Sequence, residues 1–233
     1  MKKRIIFIFC FLILFILLAF ISVKIENMIN VPNVKIEEKI RYKVSNITEE
    51  NEKFSIKVYY PVTEYDDLNF DINSLVNSYL ESFKNQIPYL SSDKKYYLNI
   101  TFETYLKENY ISYLFLIKEN LGCLHDEKYV VSINYDTKKD KILTISDLVQ
   151  KDENLLNKLS TISFNAIKEN KDIDSVKNEE FIKEGIIPIY KNFETFVINK
   201  NSLDIYFNEY QILPYYYGVV KVEIPYDELG INF

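Results

Sequence analysis

From Ile5 to Val23 the chain is apolar except for Ser22, and this run follows the basic head Met1-Lys2-Lys3-Arg4. Nineteen such residues form a helix of roughly 28 Å at about 1.5 Å per residue, enough to cross a hydrocarbon core of about 30 Å. Three positive charges precede the run and only Lys24 closely follows it. The positive-inside bias therefore predicts a single-pass protein of the cell membrane, with residues 1–4 cytoplasmic and the rest extracytoplasmic. A cleaved signal peptide is the rival reading. Its apolar region is shorter, about 7–15 residues, and ends in a small-x-small site. Ala19-Phe20-Ile21 and Ser22-Val23-Lys24 both miss that pattern, which favours an uncleaved anchor held in the lipid bilayer through residues 5–23. Cys10, inside the run, reads as a membrane-buried thiol, and with four residues ahead of the run no cytoplasmic domain is expected.

Composition limits the rest. The 233 residues allow one or two small domains, and 4 Gly with 6 Pro exclude collagen-like and linker-like chains. Two Cys, with no CxxC pair, exclude a disulfide scaffold and a zinc-cysteine site, and a single His excludes His-rich metal sites. No metal and no cofactor is expected. Setting Lys2, Lys3 and Arg4 aside from the 28 basic residues leaves 25 against 34 acidic ones, a formal charge of −9 for the exported part. That balance argues against nucleic acid and favours encounter with cationic partners.

Beyond the anchor, residues 24–35 are polar, contain Pro32, and read as a stalk. A first strand is expected over Lys35–Ser45, and a turn over Asn46–Asn51. Phe54, Ile56, Val58 and Tyr60 alternate as a strand stopped by Pro61. Ile72, Leu75, Val76, Tyr79, Leu80, Phe83 and Ile87 recur at helical spacing, with Asp71 as the natural cap and Pro88 as the stop. Strands follow around Leu98–Leu106, Tyr110–Lys118, Tyr129–Tyr135 and Lys141–Ile145. A second helical region is expected behind Ser146 or Asp147, with an apolar face from Leu155 to Ile167. A short helix ending at Gly185, a hairpin around Lys200-Asn201 and a last strand over Tyr216–Ile224 complete the chain. The fold class predicted is α+β: a transmembrane helix, then a two-lobed, mainly antiparallel β ectodomain with packed helices. The lobes are expected at residues 36–125 and 126–233.

Candidate chemistry is sparse. Cys123 and His125 stand at i and i+2, which places extended side chains about 6–7 Å apart at ~3.3 Å per residue, farther than a proton-transfer pair at about 2.6–3.2 Å. His125 therefore reads as a turn or binding-edge residue. Asp66-Asp67, Glu37-Glu38 and Glu179-Glu180 are paired carboxylates of the kind glycosidases use across a cleft, but acidic runs are usually solvated surface. No calcium loop, GxSxG elbow, P-loop or HExxH motif is present. The 20 Tyr say more. Most suit sheet packing. The segment from Tyr210 to Gly218 differs, because it joins a Pro-containing loop, consecutive aromatics and a Gly ahead of an apolar strand. Pro214, Tyr215, Tyr216 and Tyr217 are its candidate binding residues.

Gly122-Cys123-Leu124-His125, Asn134-Tyr135-Asp136, Leu143-Thr144-Ile145-Ser146-Asp147-Leu148, Leu203-Asp204-Ile205-Tyr206-Phe207, Tyr210 to Tyr215, Gly218 and Ile224-Pro225-Tyr226 occur in a characteristic order. With Tyr59-Tyr60-Pro61 and the helix after it, this pattern resembles the RsiV-like extracytoplasmic domain family over about residues 36–233. The same domain, of largely unknown function, forms the N-terminal region of the peptidoglycan deacetylase PdaC. The resemblance implies an α+β ectodomain without an active site. In the RsiV branch it implies a lysozyme receptor, with the Pro214-Tyr215-Tyr216 loop matching a lysozyme-contacting loop and His125 in a turn where the family often has Gly-Gly-Ala-His. Cys123 and Leu124 are bulkier than that pattern, so a different turn is expected. Neither sigma-factor binding nor deacetylation is expected of this stretch. The reading is a non-enzymatic binding module for a cell-envelope ligand, a lysozyme-like protein or a peptidoglycan fragment. An envelope hydrolase using a carboxylate pair, or a scaffold for other membrane proteins, are the alternatives.

Overall fold

Leu68, Ile72, Val76, Leu80 and Phe83 fall on one stripe of helix α1 (Asp66–Gln86) and are all buried. The helix starts before the expected Asp71 cap, because Leu68 extends the stripe one turn upstream. Tyr65 takes the cap position without a side-chain bond. Asn69 holds the entry instead, accepting from Thr63 N–H at 2.8 Å and donating back to its carbonyl at 2.9 Å. Asp66 and Asp67 lie in the first turn, where the helix dipole favours negative charge. The computed structural model describes residues 42–89 and 94–231. The expected span at 5–23 and stalk at 24–35 lie outside them. Among the described residues no helix is long and apolar enough to cross a membrane.

Six strands form the first sheet in chain order: β1 (Lys43–Glu50), β2 (Phe54–Val62), β3 (Tyr96–Lys107), β4 (Tyr110–Asn120), β5 (Glu127–Asp136) and β6 (Lys141–Leu143). Only β2 and β3, joined through α1, are parallel. Of the stretch expected to turn at Asn46–Asn51, Asn46–Glu50 is instead strand, in register against Ser55–Tyr59, and only Asn51 opens the turn into β2. Pro61 does not stop β2. Pairing with β3 ends at Val58, so Pro61 has a strand on one side only, where a residue without an N–H is tolerated. The lobe boundary expected between residues 125 and 126 falls inside this sheet, because β4 and β5 pair from Tyr110–Asp136 to Glu119–Glu127. The sheets divide after Leu143.

The second sheet, β7 (Phe196–Ile198), β8 (Ser202–Phe207) and β9 (Val220–Pro225), is wholly antiparallel. Every residue of β8 is buried. Leu203, Ile205 and Phe207 face α3 (Leu155–Glu169) and α4 (Glu179–Gly185) through Leu155, Leu159 and Ile182. Tyr206, on the opposite face, packs with Leu114 and Val130 of the first sheet. The burial of Asp204 follows from the same geometry, and Ser202 Oγ (2.5 Å) and Asn199 Nδ2 (3.0 Å) donate to its carboxylate. Chain order thus yields α1, first sheet, second sheet and helices in layers, an α+β architecture with mainly antiparallel sheets.

The sheets meet through side chains. Phe196 N–H donates to Ser132 Oγ and Ile198 N–H to Ser112 Oγ, both at 3.0 Å, and Asn134 Nδ2 donates to the Phe196 carbonyl at 2.9 Å. These bonds satisfy the edge of β7 that no strand covers.

Thr144, rather than Ser146 or Asp147, caps α2 (Ile145–Val149). Its hydroxyl accepts from Asp147 N–H and the Asp147 carboxylate accepts from Thr144 N–H at 2.8 Å, a reciprocal capping box. Burial pushes the Asp147 carboxyl up, but hydrogen bonds from Lys141 and Thr144 outweigh it and hold it at about 2, against a usual 3.8.

Two outcomes follow. Ser112→Ala leaves the buried Ile198 N–H without an acceptor and lowers stability by about 1–3 kcal/mol in urea unfolding. Asp147→Asn lowers the urea midpoint at pH 7. A depressed carboxylate contributes fully above its unfolded value of 3.8 and loses its contribution as pH falls through about 2, so the gap between wild type and variant closes as the pH is lowered toward 2.

Candidate functional site

Two loops carry the residues singled out in the sequence. The first, between β4 and β5, turns at Gly122 with φ near +90°. Asn120 organises it: Oδ1 accepts from Gly122 N–H at 2.8 Å, and Nδ2 donates to Asp126 Oδ1 at 3.0 Å and to the His125 carbonyl at 3.3 Å. Lys118 pairs with Asp126 at 2.8 Å. Hydrogen bonds from Lys118, Tyr97 and Asn120 hold the Asp126 carboxyl far below the usual carboxylate range. Cys123 is exposed and Leu124 is 97% exposed. Their bulk projects outward, so it does not crowd the turn.

The second loop runs from Asn208 to Val219. Asn208 acts as a strand residue through its amide, accepting from Val130 N–H at 2.7 Å and donating to the Val130 carbonyl at 3.0 Å. Gln211 donates to the Asn192 carbonyl at 3.0 Å. Ile212 and Leu213 are buried in the core and anchor the loop. Gly185 allows this seating, because a Cβ there would lie 2.0 Å from the Gln211 carbonyl oxygen. Pro214 then opens a tight turn, with Tyr217 N–H bonded to its carbonyl at 3.1 Å and Gly218 N–H to that of Tyr215 at 2.9 Å. Tyr215–Tyr217 is therefore a 3-10 turn and not the start of the last strand. Gly218 closes it at φ 70°, ψ −156°, a region open essentially to glycine alone.

The structure brings all five predicted residues together. His125 stacks on Tyr215 with ring centroids 4.4 Å apart and planes 16° apart. Tyr210 lies 5.9 Å from Tyr215, Tyr216 meets Tyr215 edge-on at 6.1 Å, and Tyr217 lies 4.5 Å from Tyr216. The result is a continuous aromatic row, with Tyr216 62% exposed and Tyr210 and Tyr215 also exposed. Residues more than eighty positions apart in sequence thus share one surface. His125 contributes as a ring in that row.

A groove of about 800 Å³ begins where the row ends. Tyr217 and Gly218 form one end, Tyr105, Tyr129 and Tyr206 supply aromatic walls, and Leu116 lies in the wall from β4. It exists because the second sheet covers only part of the first sheet's face. Lys118, Lys128 and Lys221 line it together with Glu103, and Lys118 and Lys221 are already paired with Asp126 and Glu223. Tyr105 and Tyr206 share a hydroxyl–hydroxyl bond at 3.1 Å, and burial pushes the Tyr206 hydroxyl strongly up. Apart from Tyr217 and Gly218, these groove residues were missed in the sequence. The polar members of β3, such as Asn99, Thr101 and Glu103, alternate with apolar ones, which reads as an ordinary solvent face.

Among the described residues no group of three or more His, Cys, Asp or Glu stands ready to hold a metal ion. Asp66-Asp67 and Glu179-Glu180 each occupy the first turn of a helix, where they complement the dipole. Glu37-Glu38 lies outside the described residues.

Comparison with known proteins agrees with this architecture. Residues 146–227 match the family described as "Protein of unknown function (DUF3298)". The chain is 25% identical over 211 residues to the peptidoglycan-N-acetylmuramic acid deacetylase PdaC of Bacillus subtilis (strain 168), covering 87% of this chain and 44% of that protein. It therefore spans less than half the length of that relative. A DUF3298 family protein of Pseudomonas aeruginosa PAO1 superposes with a TM-score of 0.63 at 12% identity, over 82% of this chain and 93% of that one. Another from Bacteroides fragilis NCTC 9343 gives 0.58 at 18% identity, over 82% and 92%. The α+β fold of the described residues is shared with both DUF3298 structures, and the C-terminal part carries the DUF3298 sequence pattern.

Proposed function

We propose that this chain is a membrane-anchored, extracytoplasmic binding module that recognises a cell-envelope ligand and carries out no catalysis. The aromatic row from His125 through Tyr215 and Tyr216 to Tyr217, running into the groove, is the observation that carries this reading. Exposed aromatic rings stack on sugar faces, and a tyrosine-walled groove of mixed charge beside them suits a glycan. The likeness to a protein named for acting on N-acetylmuramic acid in peptidoglycan favours a peptidoglycan fragment as that ligand. A lysozyme-like protein is the second reading. The formal charge of −9 outside the basic head and the exposed Tyr215 and Tyr216 favour it, because an acidic aromatic surface complements a basic protein. In both readings the Pro214 turn is the part that touches the ligand.

Calorimetry of the full chain in detergent, against purified muropeptides and against lysozyme at low and moderate salt, tests this. Binding of lysozyme should weaken as salt rises if charge steers the encounter. Tyr216→Ala should weaken whichever ligand binds by about tenfold, the effect of losing one anchor side chain. Unchanged binding in both Tyr216→Ala and Pro214→Ala removes the loop from the site. Turnover of muropeptides that is lost on a single Asp or Glu substitution would establish a hydrolase in place of a binding module.

Gly218→Ala probes how the row is held. A Cβ there meets nothing within 4 Å, so the substitution acts through the backbone alone. It should cost about 1–3 kcal/mol of stability or release the turn. Ligand binding should weaken although no contact atom is removed.

A further inference from the structure

The open face of the first sheet runs on beyond the groove. Asn99 of β3 lines both the groove and a shallower depression of about 240 Å³, which Ser55 and Lys57 of β2 and Tyr97 of β3 also line. Strand register explains the continuity. Lys57 stands opposite Asn99, Asn99 opposite Lys118, and Lys118 opposite Lys128. One level across β2, β3, β4 and β5 therefore presents these four side chains on a single face, over about 14 Å at ~4.8 Å per strand spacing. Ile56 and Leu98, one position before Lys57 and Asn99, point to the opposite side and are buried. Lys57, Lys118 and Lys128 are exposed, and Asn99 is half-buried.

This face mixes donors with acceptors. Lys57 and Lys128 have no ion pair among the described residues, and the side chains of Asn99 and Thr101 make no hydrogen bond there. Lys118 is held by Asp126. Acids stand beside them: Glu103 on the same face of β3, Glu50 paired with Lys95, and Glu209 accepting from the Lys128 backbone N–H. A ligand that is only an anion thus meets both signs. Rings flank the level, Tyr97 on one side with the Lys118 ammonium 5.5 Å from its centre, and the exposed Tyr59 on the other.

We propose that the open face of β2 to β5 is a subsite for a linear glycan, which lies across the strands from the aromatic row, through the groove, to Lys57. Asn99, Thr101, Lys57 and Lys128 are the groups that hydrogen-bond its hydroxyl and acetamido substituents. This rests on the glycan reading of the row and groove, and it adds that the ligand is a chain of several sugars. A sugar hydroxyl both donates and accepts, which matches a face carrying amide, hydroxyl, ammonium and carboxylate groups, and ring faces suit its apolar side. An extended peptide adds to a sheet through backbone groups at an edge, which the middle of a face does not offer. The level alone is about 14 Å wide, and with the groove and the row beyond it the track is longer than one sugar.

The full chain in detergent is titrated by calorimetry with peptide-free glycan strands of peptidoglycan, from disaccharide to octasaccharide, and with N-acetyl-D-glucosamine oligomers of matching length. Affinity is expected to rise at least tenfold from the shortest chain to the longest. Lys57→Ala and Asn99→Ala, whose side chains hold nothing in the fold, should each weaken the longest chain about threefold to fivefold without lowering the melting temperature. The double variant should lose most of the gain with length. Equal affinity for the two series assigns recognition to the shared sugar backbone, and preference for the peptidoglycan strands assigns a further contact to their lactyl carboxylates. Affinity that does not change with length overturns the track, as does wild-type affinity for the longest chain in the double variant. If Tyr216→Ala still weakens binding in either case, the aromatic row stands as the site without the track. No binding of any glycan overturns the track and the glycan reading together.

Discussion

The outer edge of β7 is closed by side chains of another sheet rather than by a strand. Ser112, Ser132 and Asn134 take up two N–H groups and one carbonyl that would otherwise be buried without partners. An unmade buried hydrogen bond costs about 1–3 kcal/mol, which is large against the net stability of a domain. These three contacts therefore set where the second sheet can sit. The Asn208 amide repeats the device against Val130, one loop further along. Once both are in place, the second sheet lies across part of the first sheet's face and leaves the remainder as the groove.

The same docking creates the aromatic row. His125 leaves β4 in a turn clamped by Asn120, and the Pro214 turn leaves β8 on a loop seated against Gly185. Neither loop alone presents more than a few rings. Side by side they give stacked and edge-on pairs at 4.4–6.1 Å, where ring quadrupoles attract and each ring limits its neighbour's freedom. A surface held this way loses little further entropy when a ligand arrives.

Much of the local structure could be read directly. Alternation revealed β2 to β5, and helical spacing revealed α1 and α3. Gly185 marked the end of α4, and Pro214 with three tyrosines marked the exposed turn. Asn46–Asn51 looked like a turn because Asn and acidic residues disfavour strands, yet pairing with β2 holds Asn46–Glu50 extended. Pro61 looked like a stop, yet it falls where β3 no longer pairs. Asp71 looked like a cap, yet Leu68 carries the helix upstream and leaves Asp71 lining a cleft. The first two depend on which strand lies alongside, and the third on where the helix's buried stripe begins. Ser112 and Ser132 carried no signal, and Asn134 only as part of a family pattern, because a polar residue within an apolar strand reads as solvent-facing until another backbone edge is brought against it.

By itself the sequence determined the alternating and helical patterns, and so the α+β class. It also determined the acidic balance and the aromatic, Pro-containing loop, since these depend on residue type and on spacing within one segment. Only the tertiary structure decided that His125 stands on Tyr215, that a groove opens beside Tyr217, and that Asn134 closes the edge of β7. The physical reason is distance along the chain. Those contacts join residues dozens of positions apart, and hydrogen bonds at a sheet edge, rather than local periodicity, bring them together.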